Sequence, residues 1–224
     1  MVQHDYGKLT INVIRFLINY VVRFVFASIT LYCSWMPLQD LTDWFSYHVI
    51  FCTIGLMPLT AEALMLFAGD ELWSKQLSRT EKYGVHGVLA TIGILCLIVG
   101  NLPGIYYIKP GFPLYTVHGI TGLVSMVILT LSIFLGLSVN YSQEMKNFCS
   151  LKPVCYKLIH NVTGLTGYAV GIASLCYAYY TDWFILYNGD ISRMTALIVT
   201  ILASLWSVNK ALVSLYGQIK SVIF

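Results

Sequence analysis

Six stretches of this chain are apolar for about twenty residues each, the length an α-helix needs to cross roughly 30 Å of hydrocarbon. They run over about Val13–Cys33, Tyr47–Phe67, Tyr83–Ile105, Tyr115–Val139, Val154–Tyr180 and Met194–Tyr216. Backbone groups in lipid must find their hydrogen bonds within the segment, so runs of this length predict helices that span a bilayer. Only 10% of the residues are charged, against about 25% in soluble domains, and 58% are hydrophobic, which excludes a water-soluble globule. The connections between runs are short and hold the breakers and charges, and no linker divides the chain. The reading is an all-α integral membrane protein with six transmembrane helices, one domain over residues 1–224. The opening MVQHDYGKLT is too polar for the apolar core of a cleavable leader, so the first span is expected to act as its own targeting signal.

Cytosolic loops retain Lys and Arg, and the six-span alternation sorts them strongly. Lys8, Arg15, Lys75, Arg79, Lys82, Lys146, Lys152, Lys157, Lys210 and Lys220 fall on one side, and only Lys109 and Arg193 on the other. Both termini are therefore expected in the cytosol. The opposite loops carry Asp40, Asp43, Asp182 and Asp190 with an aromatic rim of Trp44, Phe45, Tyr106, Tyr107, Tyr179, Tyr180, Trp183 and Tyr187. A formal net charge of +3 with no basic stripe excludes nucleic acid as a partner. In this topology the sequons at Asn140 and Asn161 are cytosolic and intramembrane, so neither is expected to carry a glycan.

Four histidines open four consecutive spans. His48 and His118 begin spans two and four near the outer face, and His86 and His160 begin spans three and five near the cytosol. They sort into two depth-matched pairs. Each has a small residue at i+4, namely Cys52, Ala90, Gly122 and Gly164, which on a helix lies beside the His on the same face. His118 and His160 share the motif His-x-x-Thr-Gly. Intramembrane His is costly and faces a bundle interior with a function. Two imidazoles at each level, beside notches for a flat ring system, point to axial ligation of two b-type haems by a core four-helix bundle of spans two to five. Zinc fits less well, because no Cys or carboxylate is matched to either pair. The six Cys, with no CxxC, read as small hydrophobes. Helix rise and bilayer thickness place the two irons roughly 15–20 Å apart. Transmembrane electron transfer follows as the expected activity.

Other residues carry weaker signals. Glu62 lies fourteen positions after His48, as a candidate proton partner or contact of the inner haem, with snorkelling or pairing to a Lys as the other reading. Arg23, inside span one, is expected to pair with a polar group or a propionate. Thr121, Asn161 and Thr163 either bond to backbone one turn back or orient a haem. Gly164, Gly167 and Gly171 have small-xxx-small spacing, read either as a homodimer face or as clearance for haem or a neighbouring helix.

The strings FSYHVI and TAEALMLF in span two, HGVL in span three, VHGITGL in span four and KLIHNVTGLTGYAVGIASL in span five resemble the cytochrome b561 family, in particular its short members of the domain-containing protein 2 type. The resemblance covers about Trp44 to Tyr180. It implies haem pairs His48–His118 and His86–His160, ascorbate as cytosolic donor, and a ferric chelate or monodehydroascorbate as acceptor on the far side. It also implies a multi-pass protein of the endoplasmic reticulum or a vesicle membrane, with the plasma membrane as the other location. The chain departs from other members at Thr116–Ile120 and at Gly84, both beside the substrate sites. Lys82 and Lys157, with Arg79 and Lys152 further out, would draw an anionic donor toward the inner pair. Their other reading is a simple positive-inside rim. Lys109, Tyr106, Phe112 and Tyr115 lie nearest His118 in sequence and are the candidate border of the outer acceptor site. Two other function classes fit six short-looped spans: a proton-relay transporter, which predicts His at staggered depths, and a haem-anchoring subunit of a quinone-linked complex.

Overall fold

The computed structural model describes residues 6–68, 73–107, 116–144 and 151–223, with backbone alone at 68 and 103–107. The long helices are α1 (Tyr6–Ser34), α2 (Trp44–Met65), α3 (Arg79–Tyr107), α4 (Val117–Asn140) and α5 (Pro153–Ala178). A short α6 (Asp182–Tyr187) leads to α7 (Asp190–Ser207) and α8 (Asn209–Ile223), which meet at a bend at Val208. Among the described residues there is no strand.

Five helical units are long and apolar enough to cross a membrane: Tyr6–Ser34, Trp44–Met65, Arg79–Leu102, Val117–Asn140 and the bent Asp190–Ile223. The chain is thus a multi-pass membrane protein. Between 17% and 44% of the most apolar stretch of each is buried, and the outward remainder includes Phe24, Leu131 and Leu202, a surface made for hydrocarbon. The fifth expected span, α5, is 26 residues long but is not among these five. Its composition explains the difference. It carries Lys157, His160, Asn161, three Gly and two Thr, and it packs against α4, α7, α8 and the middle of α2. A helix enclosed by neighbours needs fewer lipid-facing side chains.

Helix α2 is not a plain α-helix. Residues Gly55–Thr60 form a π-helical turn that contains Pro58, between α-helical Trp44–Ile54 and Ala61–Met65. Pro58 has no N–H to give, and the Thr60 hydroxyl donates to the Gly55 carbonyl at 2.7 Å. Here α2 crosses α3 closely. A Cβ on Gly55 would lie 2.5 Å from the Gly93 carbonyl oxygen, so only glycine permits this approach.

Contacts at both ends show that sequential long helices run antiparallel. The start of α3 meets the end of α2, and the start of α4 meets the end of α5, through the histidine bonds described below. Helix α1 runs against α7, with Tyr32 donating to Ser192 near one end and the Trp206 indole N–H donating to Asn19 at the other. The start of α1 and the end of α8 therefore share one face of the bundle, called here the terminal face; the opposite is the far face.

Candidate functional site

Local sequence sets where each histidine-bearing helix begins, and so the depth of its ring. Asp43 caps α2 by accepting from the Phe45 N–H at 3.0 Å, and Thr116 caps α4 by accepting from the Gly119 N–H at 3.0 Å. Ser78 and Glu81 make a reciprocal capping box at the start of α3. Pro153, at the first position of α5, supplies a preset φ. His86 and His160 each stand seven residues beyond the first residue of their helix, Arg79 and Pro153, and so lie at one level near the terminal face. His48 and His118, four and one residues into α2 and α4, lie near the far face.

The rings meet across the bundle in two pairs. His48 and His118 have centroids 6.0 Å apart at 78°, and His86 and His160 have centroids 6.0 Å apart at 88°. All four use the same atom in the same way. Nδ1 lies 2.9 Å from the Gly100 carbonyl in His48, 2.9 Å from Ala63 in His86, 2.9 Å from Ser174 in His118 and 3.0 Å from Ser132 in His160. A carbonyl only accepts, so Nδ1 carries the proton in each ring and the Nε2 lone pair is left for a Lewis acid. This is the outer-shell arrangement that orients metal-bound imidazole.

The four bonds have a common register. His86, His118 and His160 lie fourteen residues before Gly100, Ser132 and Ser174 on their own helices, and each of those carbonyls serves the histidine of the paired helix. On α2 the interval from His48 to Ala63 is fifteen. The π turn at Gly55–Thr60 lies inside that interval and absorbs the additional residue. Fourteen residues rise about 21 Å, which is the separation of the two levels along the helices.

The far-face pair opens into a cavity of about 540 Å³ lined by His48, His118, Val49, Leu123, Leu175 and Trp183 among others, within the usual range for a cofactor pocket. Phe45 lies 5.5 Å from His48 and packs edge-on against Trp183. Near the terminal face Phe67 takes the corresponding place, 5.4 Å from His86, and touches Tyr83. Two imidazole rings at each level, with centroids 6.0 Å apart, would suit ligation of a planar metal macrocycle between them. A metal–nitrogen bond of about 2 Å on each side, plus about 1 Å from nitrogen to ring centre, spaces coordinating rings by about 6 Å.

The glycines at i+4 do something other than leave a notch for a cofactor alone. A Cβ on Gly122 would lie 3.1 Å from the Ser174 hydroxyl, and one on Gly164 would lie 3.1 Å from that of Ser132. They let α4 and α5 approach until each serine reaches the other helix's histidine: Ser174 Oγ is 3.0 Å from His118 Nδ1, and Ser132 Oγ is 3.3 Å from His160 Nδ1. The rest of the small-residue series points the same way. Gly167 faces Leu129, and Gly171 faces Ser125 and Leu56, so this stripe is spent on packing within the chain and not on a homodimer face.

Arg23 and Glu62 pair with each other, the Arg23 Nε–Glu62 Oε2 bond at 2.7 Å and a second bond at 3.0 Å. Of the readings for Arg23, a polar group or a propionate, the polar group is found, and the cation that Glu62 meets is this arginine and not a Lys. The pair ties α1 to the residue beside Ala63, whose carbonyl holds His86. Asn161 donates to Gln218 on α8, and Thr121 bonds back to Val117 and His118 carbonyls. On the terminal face Lys82 is half-buried, while Arg79, Lys152 and Lys157 are exposed. Arg79 donates to the Tyr83 hydroxyl and so borders the Phe67–His86 contact. Of the candidate far-side border, Lys109, Phe112 and Tyr115 lie outside the described residues, and so does the Tyr106 side chain. Three of the far-side acidic residues have structural partners. Asp43 caps α2; the Thr42 hydroxyl and N–H hold the Asp40 carboxyl below the usual carboxylate range; Asp190 pairs with Arg193. Ser132, Ser174, Phe67 and the four carbonyls are absent from the sequence reading. Only the repeated interval of fourteen from His118 and His160 to a serine was there to be seen.

The sequence model of the family described as eukaryotic cytochrome b561 matches residues 47–185, a range that holds all four histidines. The chain is 29% identical to the mouse transmembrane reductase CYB561D2 over 168 residues, 74% of each chain, and 28% identical to the human protein of that name over the same length. The bovine protein of that name is 30% identical over 142 residues, 62% of this chain and 63% of its own. No solved structure matches.

Proposed function

Since the chain belongs to the eukaryotic cytochrome b561 family, we propose that it is a transmembrane oxidoreductase that passes single electrons from cytosolic ascorbate, through two bis-histidine b haems, to an acceptor on the far side. The observation that carries this is the common use of Nδ1: four imidazoles, each with its Nδ1 proton held by a backbone carbonyl and Nε2 left free to ligate, stand in two pairs with centroids 6.0 Å apart. His48 and His118 would hold one haem and His86 and His160 the other, with α5 as the sixth crossing. Haem bound there supplies a one-electron couple. The chain's own part is to hold the ring protons, exclude water with Leu123, Leu175 and Phe67, and keep the two levels at a fixed separation.

Ascorbate is an anion at neutral pH, and Lys82, Lys157, Arg79 and Lys152 would concentrate it near the inner pair. The acceptor is a ferric chelate or monodehydroascorbate, and the termini face the cytosol of an endoplasmic reticulum, vesicle or plasma membrane protein. The deciding experiment is an optical spectrum of detergent-purified protein titrated with ascorbate, with a pyridine-haemochrome count. Two low-spin b haems per chain are expected, with His118→Ala and His160→Ala each losing one. A folded preparation without haem would overturn the proposal. Lys82→Ala with Lys157→Ala tests the donor site, and an unchanged rate of reduction by ascorbate would remove ascorbate attraction from their role.

A further inference from the structure

A second concave site lies away from the histidines, where α1 meets the bend between α7 and α8. Its volume is about 230 Å³, and its lining includes Arg15 and Asn19 from α1, Ser207 from α7, and Asn209 and Lys210 from α8. No acidic residue lines it, and among the described residues neither Arg15 nor Lys210 forms a salt bridge. Asn19 and Ser207 are 3% and 2% exposed, so the floor is fixed, and the Trp206 indole N–H donates to Asn19 to lock one wall. The single turn residue Val208, with φ −84° and ψ −9°, separates α7 from α8 at this site, and beside it the Ser207 hydroxyl donates to the Ser204 carbonyl.

Depth identifies what such a site would meet. Arg15 stands nineteen residues from Ser34, the end of α1, and Lys210 stands twenty residues from Asp190, the start of α7. At 1.5 Å per residue both lie about 30 Å from the far face, one hydrocarbon thickness away. This is the level of the phosphate groups in the leaflet at the terminal face. On its hydrocarbon side the mouth is bordered by a side chain suited to acyl chains, Leu17 on α1, which is 56% exposed. A soluble anion has no use for that border. A lipid brings both the phosphate and the chains.

We infer that this site binds the headgroup of an anionic phospholipid, its phosphate held between Arg15 and Lys210 and its remaining polar groups by Asn209. Basic pockets between helices at the membrane boundary recognise such headgroups by charge and by directed donors together. Elsewhere on this face Lys75 and Lys220 are exposed and line neither of the two cavities described above. The site thus differs from a general positive rim, and the difference is testable.

The full chain is reconstituted in nanodiscs of phosphatidylcholine alone, or with one fifth of the lipid replaced by phosphatidylserine or phosphatidylinositol 4-phosphate, and its thermal midpoint is followed by tryptophan fluorescence. Wild type is expected to melt several degrees higher with anionic lipid, because a ligand bound only to the folded state stabilises it. Arg15→Gln with Lys210→Gln is expected to lose that increment while melting normally in phosphatidylcholine. The charge-matched Lys75→Gln with Lys220→Gln is expected to keep it. Native mass spectrometry of the same samples reads a retained anionic lipid on wild type and its loss from the Arg15/Lys210 variant. An equal shift in both double variants would assign the effect to diffuse surface charge and overturn the site. A shift with inorganic phosphate in phosphatidylcholine discs, but not with anionic lipid, would overturn the lipid assignment in favour of a soluble anion. No shift in any arm overturns the proposal outright, and none of these readouts depends on haem.

Discussion

The α2–α3 and α4–α5 hairpins perform one task with different parts. In each, the histidine of one helix gives its Nδ1 proton to a carbonyl near the end of the other, reciprocally. The α4–α5 hairpin is regular. Both intervals are fourteen residues, both carbonyls belong to serine, and both serine hydroxyls also reach the ring nitrogen. The α2–α3 hairpin has one interval of fourteen and one of fifteen, its carbonyls belong to Gly100 and Ala63, and it contains the π turn with Pro58. What is conserved between the halves is the backbone register. Side chains and even the helix type differ around it, because the proton acceptor is a main-chain group that any residue supplies.

Deleting one residue breaks the comparison most severely. Loss of Val127, between His118 and Ser132 in regular α4, rotates one end against the other by about 100° and turns the Ser132 carbonyl away from His160. That variant is expected to lose the inner haem. Loss of Pro58 instead converts the π turn to plain helix and leaves fourteen residues between His48 and the Ala63 carbonyl, as in the other three helices. It is expected to keep both haems. Pyridine-haemochrome counts on the two purified variants decide it, and haem loss from the Pro58 deletion would show that the π turn does more than absorb a residue.

The close crossing at the π turn predicts the next effect. Gly55→Ala drives a methyl against the Gly93 carbonyl oxygen, a backbone atom, and is expected to cost about 1–3 kcal/mol. Gly164→Ala meets only the Ser132 hydroxyl, which rotates away, and should cost under about 1 kcal/mol. Thermal midpoints in one detergent rank the two, and equal shifts would contradict the contrast.

A smaller effect belongs to a device that α4–α5 lacks. Arg23→Gln leaves Glu62 without its partner. The side chains are 19% and 20% exposed, so the expected loss is about 1–2 kcal/mol, below the roughly 3–5 kcal/mol of a fully buried pair. Arg23→Leu with Glu62→Leu should recover most of it. A double variant as unstable as the single would mean that the pair does more than neutralise itself.

The serine hydroxyls give the finest distinction. Ser174 Oγ bonds to both the His118 carbonyl, at 2.8 Å, and its Nδ1, whereas Ser132 Oγ reaches His160 Nδ1 at 3.3 Å. Ser174→Ala is expected to cost about 0.5–1.5 kcal/mol and to shift the potential of its haem more than Ser132→Ala does. Redox titration of each variant reads the two shifts, and a larger one in Ser132→Ala would reverse the assignment.

Much of this arrangement was legible before any coordinates. Apolar length marks the helices, and short loops force sequential helices to run antiparallel. His86 and His160, seven residues past helix starts marked by a capping box and a proline, must then share a level. The same reasoning left two readings open for Gly164, Gly167 and Gly171, a homodimer face or clearance for a neighbouring helix, because spacing tells that a face is small without telling what fills it; the contacts decide for the neighbouring helix. It also left Arg23 and Glu62 without each other, since thirty-nine residues separate them and no periodicity links α1 to α2.

The sequence by itself therefore determined what is local: helical segments, their polarity, and the depth of each histidine, all of which follow from rise per residue and the cost of bare backbone in lipid. The tertiary structure decided what is relative. Rotation of each helix about its axis selects which carbonyl faces which ring. That rotation is set by contacts such as Gly55 on Gly93 and Ser174 on Gly122, between residues distant in the chain, and by a π turn whose extra residue no hydrophobic pattern reveals.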